Sequence, residues 1–156
     1  MFELIESITI DAAGGVASGV ASLSAEHPLF ADHFPLAPLA PGSLLIELSA
    51  QIAGPLAEEI TKLKSNLERW ALLGMIRDVK FLNPVPLPAR IILSAEAIRI
   101  DSSTVTVSVR AKVDEQVVMR GELVMMMAES EPDWEKAIRA RDLRVAAWKG
   151  AHDARH

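Results

Sequence analysis

The sequence predicts an α+β fold in which antiparallel strands surround one buried helix. Three observations carry this. A single long stretch, Ser43 to Ser65, opens at Pro41-Gly42-Ser43 and is apolar on nearly every side from Leu44 to Ala57, which marks a helix enclosed by protein. Several segments alternate with period two, most clearly Val105, Val107 and Val109. These strand-like segments lie in runs on either side of the helix instead of alternating with further helices.

The elements follow in order. Phe2 to Ile10 reads as a first strand, with Phe2, Leu4, Ile8 and Ile10 toward one side. Asp11 to Gly15 supplies the backbone freedom of a turn, and Val16 to Leu23 returns as a hairpin partner. Ser24 to Pro41 is a long proline-rich loop, and long ordered loops in compact domains are usually functional. His27, placed before Pro28, suits packing or capping. The central helix is expected to kink near Gly54-Pro55 and to leave the core in its second half, where Glu58, Glu59, Lys62 and Lys64 appear. Trp70 to Phe81 reads as a strand and Asn83 to Pro88 as a corner. Three more strands follow, Arg90 to Ile100, Val105 to Val113 and Gln116 to Ala128, joined by tight turns at 101–103 and 114–115. Met125, Met126 and Met127 point alternately to opposite faces, so they read as packing material and not as one site. Trp134 to Lys149 is a helix anchored by Trp134, Ile138, Val145 and Trp148, docked on the sheet or on a second subunit, and the end with His152 and His156 frays. Residues 1–129 thus form one domain and 130–156 a C-terminal helical extension.

Composition narrows the function. The 156 residues suit one domain, and no apolar run reaches the length of a membrane span. The start lacks a basic leader, and there is no cysteine, so neither disulfides nor thiolate chemistry arise; a cytoplasmic setting is expected. A net charge of −5 argues against nucleic acid as a partner. No cluster has metal-ligand spacing, and no metal or cofactor is expected.

The chemistry concentrates in one segment. His33 sits in the loop as Asp32-His33-Phe34-Pro35, and Ser43, Glu47 and Gln51 recur every four residues, forming a narrow polar stripe on the apolar helix. A buried carboxylate is costly unless paired or used. Alone, Glu47 reads equally well as half of a structural pair, and a lone loop histidine is more often structural. Together with a helix start they make a candidate acid–base site.

The spacing of His33-Phe34-Pro35, Pro38, Pro41-Gly42, Glu47 and Gln51 resembles the signature of the 3-hydroxyacyl-[acyl-carrier-protein] dehydratases of the hotdog fold, the FabZ-like family. A second, weaker match is Val79-Lys80-Phe81 with Pro84-Val85-Pro86. The resemblance covers about residues 1–129. Departures are Asp32 and Leu36-Ala37 where the family pattern has glycine and Gly-Asn or Gly-Asp, Ala89 for another glycine, and Pro55 within the helix. The fold implied is one antiparallel sheet wrapped around a long central helix.

The resemblance implies His33 and Glu47 as the catalytic pair, acting on an acyl thioester carried by acyl carrier protein in fatty acid, polyketide or aryl polyene synthesis. Glu47 on its apolar helix should hold a proton above the usual carboxylate range. Gln51 would orient it, and the backbone N–H of Gly42 at the helix start would hold the thioester carbonyl. Phe34, Leu36 and Leu39 are expected to line the acyl tunnel. The family also implies a homodimer, or a dimer-based assembly, in which His33 of one subunit meets Glu47 of the other. Two other readings stay open: a hotdog thioesterase, which would not require the histidine, and a non-catalytic acyl-binding or scaffold subunit.

Overall fold

The computed structural model describes residues 4–155. The strands are β1 (Ile5–Asp11), β2 (Val16–Leu23), β3 (Trp70–Phe81), β4 (Ala89–Ile100), β5 (Thr104–Val113) and β6 (Gln116–Ala128). They form one antiparallel sheet in the order β1-β2-β4-β5-β6-β3. The helices are α1 (Gly42–Ser65) and α2 (Glu135–Asp153).

The sheet curves around α1. Leu48, Ile52, Ala53, Leu56 and Ala57 have no exposed surface, and they meet Ile91 and Leu93 of β4, Val107 and Ala111 of β5 and Leu123 of β6 in one core. β2 and β4 give alternate residues to that core, as the pleat requires: β2 buries Ala17, Ala21 and Leu23, and β4 buries Ile91, Leu93 and Ala95. Gly19 lies on the same face. A Cβ there would stand 2.9 Å from Ile52 Cγ2, so the helix passes too close for a side chain. The triple methionine splits as the pleat demands, Met125 buried and Met126 half exposed.

Local chemistry sets the connections. Gly14 N–H donates to Asp11 Oδ1 at 2.9 Å in the first turn. Asp114 and Glu115 both take positive φ, 48° and 65°, which closes the β5–β6 hairpin in two residues. His27 caps the short turn Pro28–Phe30, its Nδ1 accepting from Leu29 N–H at 3.1 Å, as its place before Pro28 suggested. Asn66 ends α1 in the left-handed region.

Three expectations change. α1 is one continuous helix through Pro55. Its second half does not leave the core at Glu58: Ile60 is still buried, and α2 lies over Glu58 and Glu59. Arg141 Nη1 donates to Glu58 Oε1 at 2.7 Å, and Lys149 pairs with Glu59. Sequence spacing along α1 could not reveal a cover supplied some ninety residues later. His152 lies within α2, which is helical to Asp153, so it is not part of a frayed end; Phe2 and His156 lie outside the described residues.

Among the described residues no helix is long and apolar enough to cross a membrane.

Candidate active site

The site is built at the first two turns of α1. Pro41 has extended backbone and no side chain caps the helix start; the carbonyl of Pro41 accepts from the N–H groups of Leu44 and Leu45. The N–H groups of Gly42 and Ser43 therefore point outward from the positive end of the helix. A Cβ on Gly42 would stand 2.8 Å from two atoms of the Phe81 ring, so the ring lies against bare backbone.

Glu47 and Gln51 follow on the same face. Gln51 Nε2 donates to Glu47 Oε1 at 2.9 Å, so the amide does orient the carboxylate. Gln51 Oε1 is buried without a donor among the described residues. Glu47 is exposed in the single chain, against the expectation that it is buried. The stripe it occupies opens beside Leu72 and Leu73 of the edge strand β3. Glu47 and Gln51 line a cavity of about 340 Å³ whose other walls are Leu72 and Leu73 of β3, Met125, and Arg144 and Trp148 of α2.

The His33 loop is pinned from both sides. Phe30 is buried beneath it, and His33 N–H donates to the Phe30 carbonyl at 3.0 Å. Leu39 N–H donates to the His33 carbonyl at 2.7 Å, and Leu39 bridges to Pro86. Ala40 N–H reaches the Val85 carbonyl at 2.9 Å, which ties the loop to the corner after β3. The His33 ring is half buried and stacks on Phe34, with centroids 4.4 Å apart. The His33–Phe34 peptide is cis.

The tunnel residues fare differently. Leu36 is fully exposed with φ of 67°, the left-handed region that glycine takes easily, at a position where the resemblance has glycine. Phe34 is half exposed. Neither lines an enclosed space within one chain. Leu39 is half buried under the loop. No hydrogen bond or ion pair joins His33 to Glu47 among the described residues.

Sequence reasoning missed Phe81 over Gly42 and the α2 residues in the cavity. Arg141, Arg144 and Trp148 share one helical face by their spacing, which was a readable signal. The arginines were masked by the search for apolar anchors.

The comparisons with known proteins bear on this geometry. The FabA-like domain family matches residues 1–122. The chain belongs to that family. A curated relative, the 3-hydroxyacyl-[acyl-carrier-protein] dehydratase FabZ of Caldanaerobacter subterraneus, is 30% identical over 128 residues, which is 82% of this chain and 89% of the relative. Among solved structures, a Streptococcus mutans protein bound to acetyl CoA matches with a TM-score of 0.65 at 14% identity, over 84% of this chain and 94% of that one. The dehydratase heterocomplex ApeI:P of Xenorhabdus doucetiae matches with a TM-score of 0.57 at 20% identity, over 81% and 99%. Proteins described as thioesterases share the architecture too. At these identities the structural likeness is one of fold, and that fold is the hotdog: one antiparallel sheet around a long helix.

Proposed function

We propose that this FabA-like protein removes water from a 3-hydroxyacyl thioester, carried on acyl carrier protein, to give a trans-2-enoyl thioester. The observation that supports it best is Glu47, held by Gln51 in a cavity it shares with Leu72, Leu73 and Met125, one turn from the free N–H groups that begin α1. The family relative of matching length is a dehydratase of this kind.

In the proposed reaction, the imidazole of His33 takes the C2 proton, and the electron pair left behind forms the C2=C3 bond. The C3–O bond breaks as the carboxyl of Glu47 gives its proton to the departing hydroxyl, which leaves as water. Gly42 N–H, at the positive helix end, holds the thioester carbonyl as negative charge develops there. Positioned acid–base groups supply roughly 10² to 10⁴ in rate each.

The proposed active unit is a dimer. β3 is an edge strand of twelve residues that exposes Leu72, Leu73, Met75 and Ile76. A long exposed apolar edge invites pairing with another strand. Pairing β3 with β3 of a second copy would cover it. As the resemblance implies, this would set the His33 loop of one subunit opposite Glu47 of the other.

The test is hydration of a trans-2-enoyl thioester, followed by loss of its conjugated ultraviolet absorbance with parallel detection of free thiol. His33→Ala and Glu47→Gln are run beside the wild type. Absorbance loss without thiol, abolished in both variants, is expected. Thiol release would assign the protein to the thioesterases, and binding without turnover would make it a non-catalytic acyl-binding subunit.

A further inference from the structure

The cavity beside Glu47 has a far end, and α2 forms it. α1 runs from Glu47 through Gln51, Gly54 and Pro55 along the cavity floor, with Ala71, Leu72 and Leu73 of β3 along one side. Gly54 is buried there, and a Cβ on it would only reach ordinary contact with Ala71 and Met125, at 3.7 Å each. The floor is therefore open space that glycine leaves unfilled. Beyond Pro55, α2 passes over α1: Arg141 is hydrogen-bonded to Glu58, Lys149 is paired with Glu59, and Arg144 and Trp148 line the cavity itself, which they set apart from a second space of about 220 Å³ between the two helices at Pro55, Glu58 and Val145. Trp134 against Trp70 and Arg155 on Glu6 hold the two ends of α2 to opposite edges of the sheet. The helix is a strap across the open side of the fold, fastened on both edges, and it lies outside the part of the chain that the FabA-like family matches.

We infer that α2 is a stop that limits the length of the acyl chain, with Trp148 and the stem of Arg144 as its contact surface. This rests on the proposed acyl-thioester function and adds the substrate class, a short-to-medium acyl group. The magnitude follows from the helix. From Glu47 to Pro55 the α1 axis advances about 12 Å, which matches roughly nine carbons of extended chain at about 1.3 Å per bond. The cavity volume of about 340 Å³ agrees in scale. At a liquid-like share of about 30 Å³ per group it holds on the order of ten non-hydrogen atoms. A longer chain would have to lift α2 off Glu58 and Glu59 or fold back on itself.

The experiment measures kcat/KM for hydration of a series of trans-2-enoyl pantetheine thioesters from short to long, in the wild type, Trp148→Ala and Gly54→Ala. Calorimetric binding of the matching saturated acyl pantetheines is measured alongside. Counting about nine carbons beyond C3, where Glu47 acts, the wild type should show a fall in kcat/KM beyond a chain of about twelve carbons. Trp148→Ala should move that fall outward by two or three carbons and raise the value for the first excluded member roughly tenfold, since each newly buried methylene adds to transition-state binding. Each protein's values are read relative to its own shortest member, so a uniform change in activity does not count as a shift. Gly54→Ala should move the fall inward, because its methyl enters the floor. A fall in the same place in all three proteins overturns the stop while leaving the dehydratase reading intact. Absence of hydration in every protein overturns the dehydratase reading instead, and the binding series then decides the stop by the same shifts. Should Trp148→Ala fail to fold, Gly54→Ala decides alone.

Discussion

Replacing Arg141 with alanine unfastens the middle of α2, and the pH dependence of the cost identifies the cause. Glu58 Oε1 accepts two hydrogen bonds of 2.7 Å, from Arg141 Nη1 and from Ala71 N–H at the start of β3. The carboxylate side chain is only 16% exposed and the guanidinium 31%. Burial pushes the Glu58 carboxyl above its ordinary value of 4.5, the nearby Asp142 adds to this, and the guanidinium of Arg141 pulls it back only in part. Arg141→Ala removes that pull, so the folded-state pKa of Glu58 rises further. A carboxyl whose folded pKa lies above its unfolded value favours folding least where it is ionised. The folded chain therefore loses stability as pH rises from about 4.5 through the folded pKa, and the variant loses more over a wider window. At about pH 4 the carboxyl is mostly protonated in both states of both proteins, and the variant should be weaker by on the order of 1 kcal/mol, for a hydrogen bond to an uncharged acceptor and stem packing. Near pH 8 the loss should reach about 2–3 kcal/mol, because each further unit of pKa displacement costs about 1.4 kcal/mol. Urea unfolding of both proteins at the two pH values measures this. A difference that is equal at both, or smaller at the higher, would refute the account of Glu58 as a buried charge held by Arg141.

Other expectations follow from packing. Gly42→Ala drives the half-exposed Phe81 ring off the helix start; the ring can swing outward, so stability should change by under about 1 kcal/mol while turnover falls at least roughly tenfold, read from a melt beside the hydration assay. Introducing Leu73→Glu with Ile76→Glu on the open edge of β3 should leave a folded but inactive monomer in sedimentation, and an unchanged dimer would place the interface elsewhere. Gly19→Ala overpacks Ile52 and should cost about 1–3 kcal/mol alone; in a double variant with Ile52→Ala, which removes the Cγ2 it meets, the cost should be less than the sum of the two single costs, by urea unfolding.

Much of the fold was legible because its signals are local. The expected bounds of β2, β3 and β6, set by the turn and corner residues that flank them, match the strands observed. Gln51 as the partner of Glu47 was legible too, since four-residue spacing on a helix is itself a contact. What failed depends on distant segments. The exposure of Glu47 is decided by where β3 ends the sheet, and the burial of Glu58 by a helix that begins at Glu135. Leu36 is expected at the acyl tunnel because it is apolar in a functional loop; its backbone takes the left-handed turn that the family pattern assigns to glycine, and its side chain is exposed in the single chain, where only a second subunit could cover it.

The polar stripe on α1 explains why the site lies where it does. Ser43, Glu47, Gln51 and Glu58 run along one side of a helix whose remaining faces are closed by the sheet. A six-stranded sheet curved around a rod leaves an open side, and polar side chains must fall on it. Over Glu58 and Glu59 the chain closes that side with its own α2, and the carboxylates are neutralised by Arg141 and Lys149. Glu47 makes no ion pair among the described residues, although Arg144 of α2 lines the same cavity. Two stretches of one helix are thus treated in opposite ways: Glu58 and Glu59 are paired with cations of α2, while Glu47 has the amide of Gln51 as its hydrogen-bond partner. A second copy of the chain, brought in along β3, would supply the cover that the first lacks.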